Sequence, residues 1–125
     1  MAKNATAGSK KAGGIHAAAM GILAKLSGQS HHIISRSIKK ALKRHKVLGK
    51  EGNLRGQAGV TQAKDLRSHC GYQDWHRKYD AEVVEWLDGN PAASKAEFES
   101  FLKRIYDRSD MKDRFPGGWG GFKGD

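Results

Sequence analysis

The hydrophobic pattern divides the chain into short helices around one strand. Ile15, Ala19, Ile22, Leu23 and Leu26 recur at helical spacing and predict an amphipathic helix over 15–26, ended by Ser27-Gly28. Residues 29–35 then carry the β-branched pair Ile33-Ile34 behind Ser30-His31-His32, which predicts a strand. Ile38, Ala41, Leu42, His45 and Leu48 mark one side of a second helix over 38–48, with Ser37 as its candidate cap and Gly49 as its stop. Residues 51–61 hold Gly52, Asn53, Gly56 and Gly59 and read as a loop, with a short strand near Asn53-Leu54-Arg55. The pattern over 63–69 supports neither helix nor strand.

The second half is clearer. Tyr72, Trp75, Tyr79, Val83, Trp86 and Leu87 form one stripe and predict a long helix over 72–87, with His76 at the stripe's edge. Asp88-Gly89-Asn90-Pro91 stops it. Ser94 and Glu97 have capping-box spacing, and Phe98, Phe101, Leu102, Ile105 and Tyr106 follow at core-packing positions. Residues 114–125 interleave five glycines with Phe115, Trp119 and Phe122, which suits a loose tail or an extended cover. Residues 1–14, rich in Ala, Gly, Lys and Ser, read as a flexible lead-in. The expected organisation is therefore a lead-in over 1–14, one domain over 15–113 and a glycine-rich tail over 114–125.

Charge changes this picture more than composition does. The net charge is +10, and residues 1–50 contain eleven Lys and Arg with no Asp or Glu. The remainder balances twelve Lys and Arg against thirteen acids, so the first part holds the whole excess. Such a face attracts a polyanion. Nucleic acid is the first candidate and an acidic protein the second. An anionic membrane is third, because no Trp-rich basic helix accompanies the charge. The bland alternative is a purely solubilising face. No stretch approaches the ~20 apolar residues that span a bilayer, so no membrane insertion is expected. Cys70 is the single cysteine, which excludes an intramolecular disulfide and a Cys-x-x-Cys zinc site and fits a reducing compartment.

The chemistry lies in the histidines: His31-His32, His45, and His69 with His76. Adjacent strand residues point to opposite faces, so one imidazole of the pair can bind a metal while the other faces a substrate. Two or three imidazoles suit Zn²⁺ or Ni²⁺, and Mg²⁺ or Mn²⁺ where positions stay open. A neutral histidine outside that shell can take a proton from water. Arg36 and Lys39, just past the pair, and Lys40, Lys43 and Arg44 on the same basic helix are candidate phosphate contacts. No glycine-rich phosphate loop is present, and no Ser-His-Asp pattern. His45, on the apolar side of its helix, is expected to pack rather than react.

Ser30-His31-His32-Ile33-Ile34 resembles the His-His signature strand of the HNH/endonuclease VII (His-Me finger) nucleases, and most of all the toxin nucleases of bacterial polymorphic toxin systems named for Ser-His-His or Ala-His-His. Ser68-His69-Cys70-Gly71-Tyr72-Gln73-Asp74-Trp75-His76-Arg77-Lys78-Tyr79-Asp80 is similar to their second motif, a His-containing turn leading into an aromatic-His-x-x-Tyr-Asn/Asp helix start. The likeness covers roughly 29–106. It departs at Ser35, where the family usually has Pro, and in the seven-residue spacing of His69 and His76, where many members have four.

The resemblance implies an α+β, mostly helical domain with a small ββα-metal core and flanking helices. It implies His31, His76 and His69 as metal ligands and His32 as the general base. Asn53 would orient the base or bridge the finger's loop. It further implies a metal-dependent endonuclease acting on DNA. Such a domain is a secreted antibacterial toxin, delivered by a bacterial secretion system into the target cell cytoplasm. An immunity protein restrains it in the producing cell, and acidic groups there would complement the +10 charge. A ribonuclease toxin is the rival within the enzyme class. A non-catalytic basic nucleic-acid-binding module is the rival outside it.

Overall fold

A computed structural model describes residues 28–65 and 73–123. The expected helix over 15–26 and His69 lie outside them. The described chain is α+β and mostly helical, with one two-stranded antiparallel sheet. Its elements in order are β1 (Ser30–His32), α1 (Arg36–Arg44), a 3₁₀ turn (Leu48–Lys50), α2 (Leu54–Ala58), β2 (Val60–Gln62), α3 (Asp74–Gly89), α4 (Lys95–Tyr106) and α5 (Ser109–Arg114).

The His-His strand is shorter than the seven residues its sequence suggests. Pairing runs Ser30 to Gln62, His31 to Thr61 and His32 to Val60. Beyond His32, Ile33 and Ile34 are both fully buried, which a strand with one solvated face cannot do to consecutive residues. Their carbonyls leave the ladder: Tyr79 Oη donates to Ile33 O at 2.6 Å and Arg55 Nε to Ile34 O at 3.0 Å.

Helix α1 then starts two residues earlier than expected. Ser35, extended at φ −69° and ψ 173°, caps it by accepting from Ile38 N, so Ser37 lies inside the helix. Ile38, Ala41 and Leu42 are buried, and Lys39, Lys40, Lys43 and Arg44 take the opposite side. The helix also ends earlier, at Arg44. His45 turns extended, its Nδ1 accepts from Val47 N and Leu48 N, and its Nε2 donates to Asn90 O at 2.8 Å. His45 is thus a buried structural histidine.

The short strand expected near Asn53-Leu54-Arg55 is instead the start of helix α2. Asn53 Oδ1 accepts from Gly56 N at 3.0 Å, an Asn N-cap. Gly59, at φ 71° and ψ −150°, ends α2 in backbone space essentially reserved for glycine and turns the chain into β2.

Helix α3 buries Tyr79, Val83 and Leu87 at four-residue steps, and Asp80 beside them. The capping box of α4 forms as its spacing implies, and the five predicted apolar residues are buried. The glycine-rich stretch after α5 crosses the domain surface. Trp119 Nε1 donates to Ala58 O, Phe122 N to Glu99 Oε2 and Lys123 N to Gln57 O. Phe115, at its start, is fully buried in the same core as Ile33, Phe98 and Tyr106.

Candidate active site beside the His-His strand

The alternation of β1 separates the two histidines. His31 points inward and is 1% exposed, whereas His32 is exposed on the other face. His31 enters an aromatic box between the start of α3 and the end of α4. Its ring stacks on Phe115 at 4.7 Å and 20°, and meets Trp75 and Tyr79 at 5.5 Å each. His31 Nε2 lies 2.8 Å from Tyr106 Oη.

His76 comes to the same place from α3. Its ring centroid is 5.1 Å from that of His31, nearly perpendicular at 73°. It stacks on Trp75 at 5.2 Å and 14°, and the Arg114 guanidinium covers the Trp75 ring at 4.5 Å. These stacked planes limit the rotation of His76 about its side-chain torsions.

One turn along α3, Asp80 Oδ1 lies 3.6 Å from His76 Nε2. Asp80 was not among the ligands implied by resemblance. Its signal was the four-residue step from His76, which puts both side chains on one helix face. A carboxylate 3% exposed inside an apolar stripe is the informative exception to burial rules. The 3.6 Å separation is longer than a hydrogen bond. Two donors that each lie roughly 2.0–2.2 Å from one cation, at a near-tetrahedral angle, are spaced about this far apart. The donor types and their spacing therefore fit a divalent cation. Among the described residues, no group of three His, Cys, Asp or Glu side chains is arranged to hold a metal. The His76–Asp80 pair supplies two donors, so a complete shell needs donors from elsewhere, and His69 lies outside the described residues.

His32 opens into a depression of about 360 Å³ lined by Ser30, Ser35, Arg36, Arg55, His76 and Asp80, among others. Its imidazole is held below the ordinary value by partial burial first, then by the charges of Arg55 and Arg36. The neutral, proton-accepting form is thereby favoured near neutral pH. Arg55 escaped the sequence reading because it stood in a glycine-rich stretch read as loop and strand. Helix α2 brings it to the chain just past β1, where its Nε is fixed on Ile34 O at 3.0 Å. It also lines the adjoining basic depression with Arg36, Lys39, Lys40 and Lys43.

Two other candidates are placed apart. Asn53 caps α2 and lines a depression with Lys39, Lys43 and Arg55, not the one that holds His32. Arg44 donates to both carboxylate oxygens of Asp88, at 3.1 and 3.0 Å, and does not line the basic depression. No helix among the described residues is long and apolar enough to cross a membrane.

No family model matches the chain, and no curated protein or solved structure matches it either.

Proposed function

We propose that this domain is a metal-dependent endonuclease that hydrolyses phosphodiester bonds in DNA, with β1, β2 and α3 as a ββα-metal core. The observation that carries the proposal is a convergence. His31 and His76, far apart in the chain, bring their rings within 5.1 Å, while His32 on the opposite face of the same strand shares a depression with His76 and Asp80.

The roles follow from exposure and charge. His76 and Asp80 would supply two donors to one divalent cation, Zn²⁺, Mg²⁺, Mn²⁺ or Ni²⁺, with the ring of His31 packed beside that of His76. When bound, such a cation supplies stabilisation of the phosphate's developing charge and of its leaving oxygen. His32, neutral and accessible, takes the proton from the attacking water. Arg36, Lys39, Lys40, Lys43 and Arg55 hold the phosphate backbone along α1 and lead it to His32. Arg55 reaches both depressions and would sit beside the phosphate under attack.

A nuclease with this charge fits a toxin delivered into the cytoplasm of a target bacterium and restrained in the producer by an acidic immunity protein. The test is nicking of supercoiled plasmid with Mg²⁺, Mn²⁺ or Zn²⁺, with and without chelator. Nicking should require the metal, and His32→Ala should lower it by roughly 10²–10⁴-fold with an unchanged circular dichroism spectrum. A His32→Ala variant that cuts like the parent overturns the assignment of the base.

A further inference from the structure

The two cross-strand pairs on the open face of the sheet are divided between two hollows. Ser30 and His32 of β1 line the depression described above, whereas their register partners Gln62 and Val60 of β2 line a second groove of about 550 Å³. Directly opposed residues of an antiparallel pair have Cβ atoms roughly 4.5–5.5 Å apart, so the groove begins one side chain away from His32. Its far wall is the glycine-rich stretch 117–121, and no residue of β1 lines it, so it follows the outer edge of β2. Ile33 N donates to Gly59 O and Ala63 N to Gln29 O, so alternate residues 59, 61 and 63 turn their backbone polar groups toward β1. The N–H and C=O of Val60 and Gln62 therefore point to the outer edge, where no hydrogen bond among the described residues reaches them.

The two hollows differ in chemistry. Five cations line the basic depression along α1, but only Lys123 lines the groove. Val60, 53% exposed, is the one large hydrophobic side chain left open among the described residues. Trp119 is half-buried, held by Nε1 on Ala58 O at 2.9 Å and edge-on to Phe122 at 5.2 Å, so little freedom is lost when something packs on it. Gly59, Gly118 and Gly120 have no atom within 4 Å of where a Cβ would stand, which keeps the walls open. We propose that this groove is a nucleoside subsite: it takes the sugar and unpaired base of the nucleotide adjoining the phosphate at His32, with Val60 and Trp119 as its apolar contacts. A strand held on α1 and passing His32 reaches Val60 next, and a nearly uncharged groove suits the uncharged part of a nucleotide. Binders of single strands combine cations for the backbone with an aromatic surface for the base in this way. Stacking covers the faces of bases inside a duplex, so the base bound here is unpaired.

The subsite rests on the nuclease reading and narrows its substrate to DNA with an open base at the cut; the experiment separates the two. Fluorescence anisotropy, with chelator present, compares two labelled single strands of equal length and charge, one with bases and one abasic. The cations of α1 meet the same phosphates in both. The native protein should bind the strand with bases about 10-fold tighter. Gly120→Leu fills the groove: no atom lies within 4 Å of the new Cβ, and the backbone there is not in the positive-φ region that holds Gly118 and Gly121. This variant should bind both strands with the native affinity for the abasic one. Val60→Thr keeps the β-branched shape and exchanges a methyl for a hydroxyl, and should lower the preference about fourfold.

Equal native affinity for the two strands overturns the subsite, and metal-dependent nicking by that same protein leaves the nuclease reading intact. A Gly120→Leu protein with undiminished preference also overturns it. So does a Gly120→Leu protein that keeps the preference but changes its oligomeric state, because the outer edge of β2 would then pair with a second copy. If Gly120→Leu does not fold, an unchanged preference in Val60→Thr overturns the subsite instead. A native preference that is lost on filling the groove, in a protein that cuts with no metal, leaves the subsite standing and removes the hydrolytic reading.

Discussion

The basic depression beside His32 makes a quantitative prediction about salt. Five cations line it: Arg36, Lys39, Lys40, Lys43 and Arg55. Each phosphate neutralised on duplex DNA contributes about −0.9 to the slope of log K against log salt, so five contacts give about −4.5. Between 50 and 200 mM salt, that slope weakens binding by roughly 500-fold. Lys39→Gln should flatten the slope to about −3.6.

Arg44 is the internal control. It stands on the same basic helix, but both its terminal contacts go to Asp88, and the guanidinium and carboxylate are about equally exposed. Its charge is already compensated, and the residual field is screened beyond about 8–10 Å. Arg44→Gln should therefore leave the slope unchanged, and the exposed pair costs at most about 1 kcal/mol of stability. The assay is fluorescence anisotropy on a labelled duplex, with chelator present to prevent cutting. A native slope shallower than about −2 would refute the reasoning. So would an Arg44→Gln variant that flattens the slope as much as Lys39→Gln, because the DNA would then lie across α1 rather than in the depression.

Two further predictions concern the site and its support. His32 is held below the ordinary imidazole value, so the acidic limb of log kcat/KM should lie below about pH 6.5, and Arg36→Gln should move it upward toward that value; a limb that stays put or moves down refutes the charge argument. The linked stability has the matching sign: the unfolded chain binds this proton at higher pH than the folded one, so the contribution is present above about pH 6.5 and is lost as pH falls through the folded value. Phe115, fully buried and stacked on His31, should cost about 3–5 kcal/mol as Phe115→Ala in urea denaturation, and a loss below about 1 kcal/mol would detach the glycine-rich stretch from the core.

What local chemistry decides was legible along the chain. The stripe of α3, the capping box of Ser94 and Glu97, the apolar face of α4 and the opposite facing of His31 and His32 follow from periodicity alone, because each depends on residues within a turn or a pleat of one another. Element boundaries did not follow. Ser35 capped α1 in place of Ser37, and His45 ended it, because the buried Ile33-Ile34 pair and the Asn90 carbonyl fixed where the chain could turn. Asn53 was a helix cap in a stretch that looked extended.

The site itself was only half visible. Residue types and charge pointed to imidazoles and a polyanion, but long-range packing alone could select which groups meet. Asp80 joined His76, Arg55 crossed from α2 to the chain just past β1, Arg44 was withdrawn onto Asp88, and two tyrosines from different helices met behind His31. Helical and strand periods set which way a side chain faces; the closure of α3, α4 and Phe115 over β1 sets what it faces, and that distance-dependent term is absent from any local pattern.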